Sequence, residues 1–306
     1  MAELAQAAPQ RVAPGSRLRG AASLLGTVPF FAYVTIFLII PTLVVAIGAF
    51  TGDGGHGFTV DNIGALGDAY IIQAFGRSVL LSALSALFGA VFGALLAYAV
   101  STARPDGVLR RTVTALSGVL AQFGGVTLAF AFLATIGLSG FVTIWLQDHA
   151  GLNIFANGVW LFELPGLVLV YTYFQIPLMV IVFLPALDGI RPQWREATES
   201  LGGTTWEYWT RVAGPLLAPA FLGSALLLFA NAFSAYATAA ALVSQGSPII
   251  PLQIRGALTS EVVLGQANLG KAMALGMVIV VAVVMTLYSL LQKRTARWLD
   301  QDRGLG

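Results

Sequence analysis

The feature that most constrains this chain is where charge is missing. Residues 20–52, 78–103, 112–147, 164–187, 212–254 and 272–292 contain no Asp, Glu, Lys or Arg. About 20 apolar residues let a helix cross ~30 Å of hydrocarbon, and every one of these stretches reaches that length. In lipid each backbone N–H and C=O must be satisfied within its own segment, which a helix does and an open strand does not. An all-α membrane protein of six transmembrane helices follows. They are expected at 22–49, 78–101, 113–136, 164–186, 217–242 and 271–291. Composition agrees, with 57% hydrophobic and 10% charged residues against about 25% charged in soluble domains. The first apolar stretch exceeds the about 7–15 residues of a signal-peptide core, so it is read as a retained helix.

The charges that remain orient the chain. Of sixteen Lys and Arg residues, placing the N-terminus in the cytoplasm leaves only Arg77, Arg255 and Lys271 outside. Positive charge concentrates on the cytoplasmic side of membrane proteins, so cytoplasmic N- and C-termini are expected. Three parts result: a cytoplasmic tail at 1–20, a six-helix domain at 21–292 and a cytoplasmic tail at 293–306. The short connection near 104–111 implies a hairpin of helices two and three. Residues 138–162 lie outside, partly along the surface. A net charge of +2 gives a nucleic-acid partner no support. With no cysteine, and with His56 and His149 far apart, no disulfide, thiolate nucleophile or metal site is expected.

One inner loop is too elaborate for a linker. Residues 188–215 hold helix punctuation. Pro192 suits a first helical turn, where a missing N–H costs nothing. The run QWREATESL is a good helix former. Gly202 and Gly203 can end it with a left-handed residue. Thr204 and Glu207 then have capping-box spacing, each able to satisfy the other's backbone N–H. The expectation is helix, glycine turn, helix, with Trp206, Tyr208 and Trp209 on the second. Two readings fit. The aromatics anchor an amphipathic helix among headgroups, or they form a docking surface for a cytoplasmic partner.

The same segment resembles the EAA motif of ATP-binding-cassette importer permeases: Glu-Ala-Ala, three residues, Gly, nine residues, Ile-x-Leu-Pro. Here Glu196, Ala197, Gly202 and Pro215 match in register, while Thr198, Val212 and Gly214 replace Ala, Ile and Leu. The position before the penultimate helix also matches. YFQIPLMVIVFLPAL and LLLFANAFSAYATAAAL on either side resemble the branch handling polyamines, aminoethylphosphonate, ferric iron or thiamine. The resemblance implies a type I, binding-protein-dependent permease subunit of a bacterial cytoplasmic membrane. The loop becomes its cytoplasmic helix-turn-helix coupling element. Glu196, Ala197, Gly202, Thr204, Trp206, Glu207, Trp209 and Pro215 are the expected ATPase-coupling residues. It also implies as partners two ATPase subunits, a second permease, identical or homologous, and an extracytoplasmic substrate-binding protein, besides membrane lipid.

The residues themselves limit the energetics. Lys271 and Lys293 are the only lysines and neither sits in a phosphate-binding loop. No catalytic residue is expected, and ATP and Mg would be held by the partner ATPases. No carboxylate or histidine falls at depth in a span, which argues against an ion-coupled carrier. A carrier, or a non-transporting scaffold, remains the alternative. Neutral polar residues do occur in spans: Tyr171 and Gln175 in the fourth, Asn231, Ser234, Tyr236 and Thr238 in the fifth. Asn231, Ser234 and Thr238 would share one helical face. They either bond helix to helix or line a substrate path. Asp53, Asp61, Asp68, Asp148, Glu163 and Glu261 outnumber the three outer basic residues. That favours a cationic solute such as a polyamine, although positive-inside orientation alone gives the same bias.

Overall fold

A computed structural model of the chain describes residues 27–52, 57–104, 106–243, 249–259 and 266–301, without the side chains of Gln266 and 291–301. The expected tail at 1–20 lies outside the described residues, as do Asp53, His56, Glu261 and the side chains of the expected tail at 293–306. Two compact units divide the chain, Met1–Gly48 and Ala49–Gly306. The first holds all but the last residue of helix α1 (Thr27–Ala49), which widens to a π turn over Thr35–Ile39.

The second unit is helical among its described residues. Besides short turns of helix at Asp61–Gly64, Ala65–Gly67 and Trp160–Phe162, its elements are α2 (Ala69–Ser101), α3 (Val108–Gln122), α4 (Gly125–Ile136), α5 (Phe141–Ala150) and α6 (Leu164–Asp188). They are followed by α7 (Pro192–Ser200), α8 (Thr205–Tyr208), α9 (Gly214–Ser234), α10 (Ala237–Leu242), α11 (Ile250–Thr259) and α12 (Gln266–Gln301). Six segments are long and apolar enough to cross a membrane: Thr27–Ala49, Ala69–Ser101, Gly125–Ala150, Leu164–Asp188, Thr205–Ser234 and Ala267–Leu290. The expected number stands, and the fold is all-α.

The boundaries differ in instructive ways. α2 begins well before residue 78, because Arg77 interrupts the apolar run but not the helix. α12 runs past residue 291 for the same reason, through Lys293 and Arg294. The third span is not one helix over 113–136. It breaks at Phe123 and Gly124, where Gly124 takes φ −123° and ψ −162° and Gly125 takes φ +71°. α3 packs chiefly on α6 rather than lying alongside α2 as a hairpin would. Arg110 of α3 makes an ion pair with Asp188 at the end of α6. The fifth span ends at Ser234, so Thr238 does not share a helix with Asn231.

The core is built where small residues let helices close. At Gly93 of α2 an added Cβ would stand 2.7 Å from the Ile176 carbonyl oxygen and 2.9 Å from Met179 Cγ. At Gly89, one turn away, it would overlap Gln175. This small-residue seam is how membrane helices gain van der Waals contact without a hydrophobic driving force. Met179, Val180 and Leu228 are buried on one side of it. Leu167, Val170 and Tyr171 belong to a second cluster with Leu128 of α4. The crossing of α2 and α6 therefore fixes the frame on which α4, α9 and α10 sit.

Candidate functional site

Two departures from regular helix in the second unit coincide with residues singled out in the sequence.

The first is the turn between α7 and α8. Arg191 precedes Pro192 at the helix start, as expected. At the other end Gly202 N–H donates to the Glu199 carbonyl at 3.0 Å and Gly203 N–H to the Thr198 carbonyl at 2.9 Å. This is a Schellman closure, and it needs the left-handed φ of +77° at Gly202. The capping box is present in both directions. Glu207 N–H donates to Thr204 Oγ1 at 3.2 Å, and Thr204 N–H donates to Glu207 Oε2 at 3.0 Å. Glu207 also meets Arg211 at 3.5 Å.

α8 then passes into a π turn, Trp209–Ala213, closed by Gly214 N–H on the Trp209 carbonyl. A Cβ at position 214 would collide with that carbonyl oxygen. Pro215 follows and has no N–H for a regular i−4 bond. Glycine in place of the motif's leucine thus suits the wide turn this chain makes.

The aromatics divide. Trp206 is 76% exposed and Leu201 89% exposed, whereas Tyr208 is buried. Trp209 turns inward, edge-on to Tyr98 of α2 at 5.2 Å between ring centroids. The exposed apolar face is therefore carried by Leu201 and Trp206, beside exposed Glu196 and Ala197. Leu201 was not singled out in the sequence. Its signal was an apolar residue next to a glycine turn on a polar helix.

The second place is a cavity of about 260 Å³ between two helix breaks. One break separates α3 from α4, the other separates α9 from α10 at Ala235 and Tyr236. Gln122, Gly125, Asn231, Ser234, Tyr236 and Thr238 are among its lining residues. The breaks are tied to each other and to the frame. Gly125 N–H donates to Thr238 Oγ1 at 2.9 Å. The hydroxyl of Tyr171, fully buried, donates to the Ala235 carbonyl at 2.6 Å. One turn along α6, Gln175 Nε2 donates to the Leu228 carbonyl at 2.9 Å. Ser234 Oγ bonds back to the Ala230 carbonyl of its own helix at 2.8 Å.

The six polar residues expected in spans four and five thus split by role. Tyr171, Gln175 and Thr238 bond helix to helix. Asn231 and Ser234 are exposed and, with Tyr236, open onto the cavity. The Gly125 bond was not foreseen. A Gly-Gly pair inside an apolar run was its only mark.

Comparisons with known proteins agree in kind. The profile of the family described as "Binding-protein-dependent transport system inner membrane component" matches residues 89–301. The sulfate transport system permease protein CysT of Escherichia coli is 28% identical over 234 residues, covering 74% of this chain and 78% of that protein. The ferric transport system permease protein FbpB of Actinobacillus pleuropneumoniae is 27% identical over 200 residues, covering 64% of this chain. The aligned region spans only 28% of FbpB's length. A crystal structure of a bacterial alginate ABC transporter, in complex with an alginate pentasaccharide-bound periplasmic protein, has a chain of the same fold. Its TM-score is 0.69 at 18% identity, covering 92% of this chain and 97% of that one. The polyamine expectation finds no support in these relatives, which are named for sulfate and for ferric iron.

Proposed function

The chain belongs to the family of binding-protein-dependent transport system inner membrane components, a permease subunit of an ATP-binding-cassette importer, and from that premise we propose how its parts divide the work. The turn between α7 and α8 docks on a separate ATPase subunit. Leu201 and Trp206 supply the buried contact, Glu196 faces a basic residue, and Gly202 makes the turn. Trp209 holds the docking element to α2, so force applied at the turn reaches the bundle. ATP and Mg stay on the partner ATPases. The cavity between the helix breaks is part of the translocation path, with Asn231, Ser234 and Tyr236 exposed to the solute. A second permease, two ATPases and an extracytoplasmic binding protein complete the importer, and both termini of this chain face the cytoplasm. The solute is small and polar. Sulfate and ferric ions are the solutes for which its relatives are named.

The observation that carries this reading is the exposed apolar pair, Leu201 and Trp206, on a turn rigidly closed by local hydrogen bonds. A large aromatic side chain held out on a built turn suits the anchor of an interface. The test is reconstitution of the chain with its ATPase partner in vesicles loaded with ATP. Solute uptake that depends on ATP is expected. Uptake driven by an ion gradient without ATP, or failure of the ATPase to associate, overturns the reading.

A further inference from the structure

The helix α11 places a charge beside the cavity. It is fixed to α2 at two points. Ile250 N–H donates to buried Ser78 Oγ at 2.9 Å, and Gln253 Nε2 donates to the Tyr70 hydroxyl at 2.7 Å. Ile250, Pro251 and Ala257 are buried, which leaves Arg255 exposed. Its guanidinium carbon lies over the Tyr236 ring, 5.9 Å from the centroid. Tyr236 is itself a cavity-lining residue. The aromatic face attracts the cation without neutralising it. Among the described residues Arg255 makes no ion pair, since the three that occur join Arg110, Arg195 and Arg211 to other groups.

Among the described residues the cavity is lined by no opposing charge. Its lining residues carry no carboxylate, and Gln122, Asn231 and Tyr236 offer neutral donors. A cleft with one sign of charge at its edge raises the local concentration of the opposite ion. From this we infer that Arg255 is a specificity-determining residue: it sets a positive potential in the cavity, so that the path favours an anionic solute over a cationic one. The inference rests on the cavity being part of the path. It also runs against the solute that the acidic excess of the outer loops suggests.

A unit charge about 10 Å away, through an effective dielectric of about 40, changes the local level of a monovalent ion about fourfold. An anion and a cation respond in opposite directions, so their ratio changes more than tenfold, less at high salt. The chain has no native cysteine, which allows a direct reading. Ser234→Cys is made in the full-length chain, and its reaction rates with anionic MTSES and cationic MTSET are measured. Each rate is normalised to that of a free thiol. The anionic reagent is expected to be favoured. Arg255→Gln lowers the ratio about tenfold, Arg255→Glu lowers it further, and Arg255→Lys retains it. The same variants leave the ratio unchanged at His149→Cys, which is exposed outside the cavity. A preference for the cationic reagent, or a ratio at position 234 that stays within twofold across the Arg255 variants, overturns the inference while leaving the path reading intact. A thiol at 234 that neither reagent reaches overturns both.

Discussion

Replacing Gly93 by alanine adds one methyl group where α2 crosses α6. The new carbon would stand 2.7 Å from a backbone oxygen, that of Ile176, and 2.9 Å from Met179 Cγ. Carbon pairs rest at about 3.5–4.0 Å, so the helices must separate locally by about 1 Å. One of the obstacles is backbone, which cannot swing aside as a flexible side-chain end can. Overpacking of this kind costs about 1–3 kcal/mol. Alanine regains up to about 1 kcal/mol of helix propensity, leaving a net loss of about 1–2 kcal/mol. Gly118 of α3 supplies the control. No heavy atom lies within 4 Å of a Cβ built there, so Gly118→Ala should be neutral or stabilising by up to about 1 kcal/mol. The assay is unfolding of both variants and the parent, purified in mild detergent and titrated with a denaturing one. A Gly93→Ala protein as stable as the parent, or a Gly118→Ala protein less stable than Gly93→Ala, refutes the packing assigned to this crossing.

Three further outcomes are expected. Trp206→Ala should leave the chain inserted and folded but weaken recovery of the ATPase on co-purification, by about 2 kcal/mol of interface energy; full recovery removes Trp206 from the docking surface. Ser234→Trp should block uptake in reconstituted vesicles while assembly and basal ATPase activity survive, whereas normal uptake, or loss of the complex, counts against a cavity-lining role. Single cysteines at His149 should react with an impermeant thiol reagent added to intact cells, and those at Asp106 or Thr204 should not; labelling at 204 from outside inverts the orientation and removes the docking role with it.

Much of the molecule is legible in the chain because lipid leaves few choices. The six spans follow from the distribution of charge, and the α7–α8 turn follows from Pro192, Gly202, Thr204 and Glu207, whose roles are local and depend on no distant contact. What escapes is of two kinds. Span ends are misjudged at Arg77 and Lys293, because a charge ends a hydrocarbon run without ending the hydrogen bonding of a helix. The breaks at Gly124 and Ala235 escape because they are settled between segments. Gly125 N–H is satisfied by Thr238, 113 residues away, and the Ala235 carbonyl by Tyr171, 64 residues away. No window along the chain contains both partners. The cavity, and the approach of Arg255 to it, inherit that invisibility.

The π turn at Trp209–Ala213 has a mechanical meaning. Because it widens the helix without ending it, Thr205–Ser234 runs on as one helical segment, about 44 Å along its path at ~1.5 Å per residue. Trp206 stands at one end and Ser234 at the other. Over that length, a tilt of about 5° at the base displaces the far end by roughly 4 Å, more than the diameter of a water molecule. Under the division of work proposed above, a small tilt begun at the α7–α8 turn would thus be larger at the cavity, with a single helical segment carrying it from one to the other.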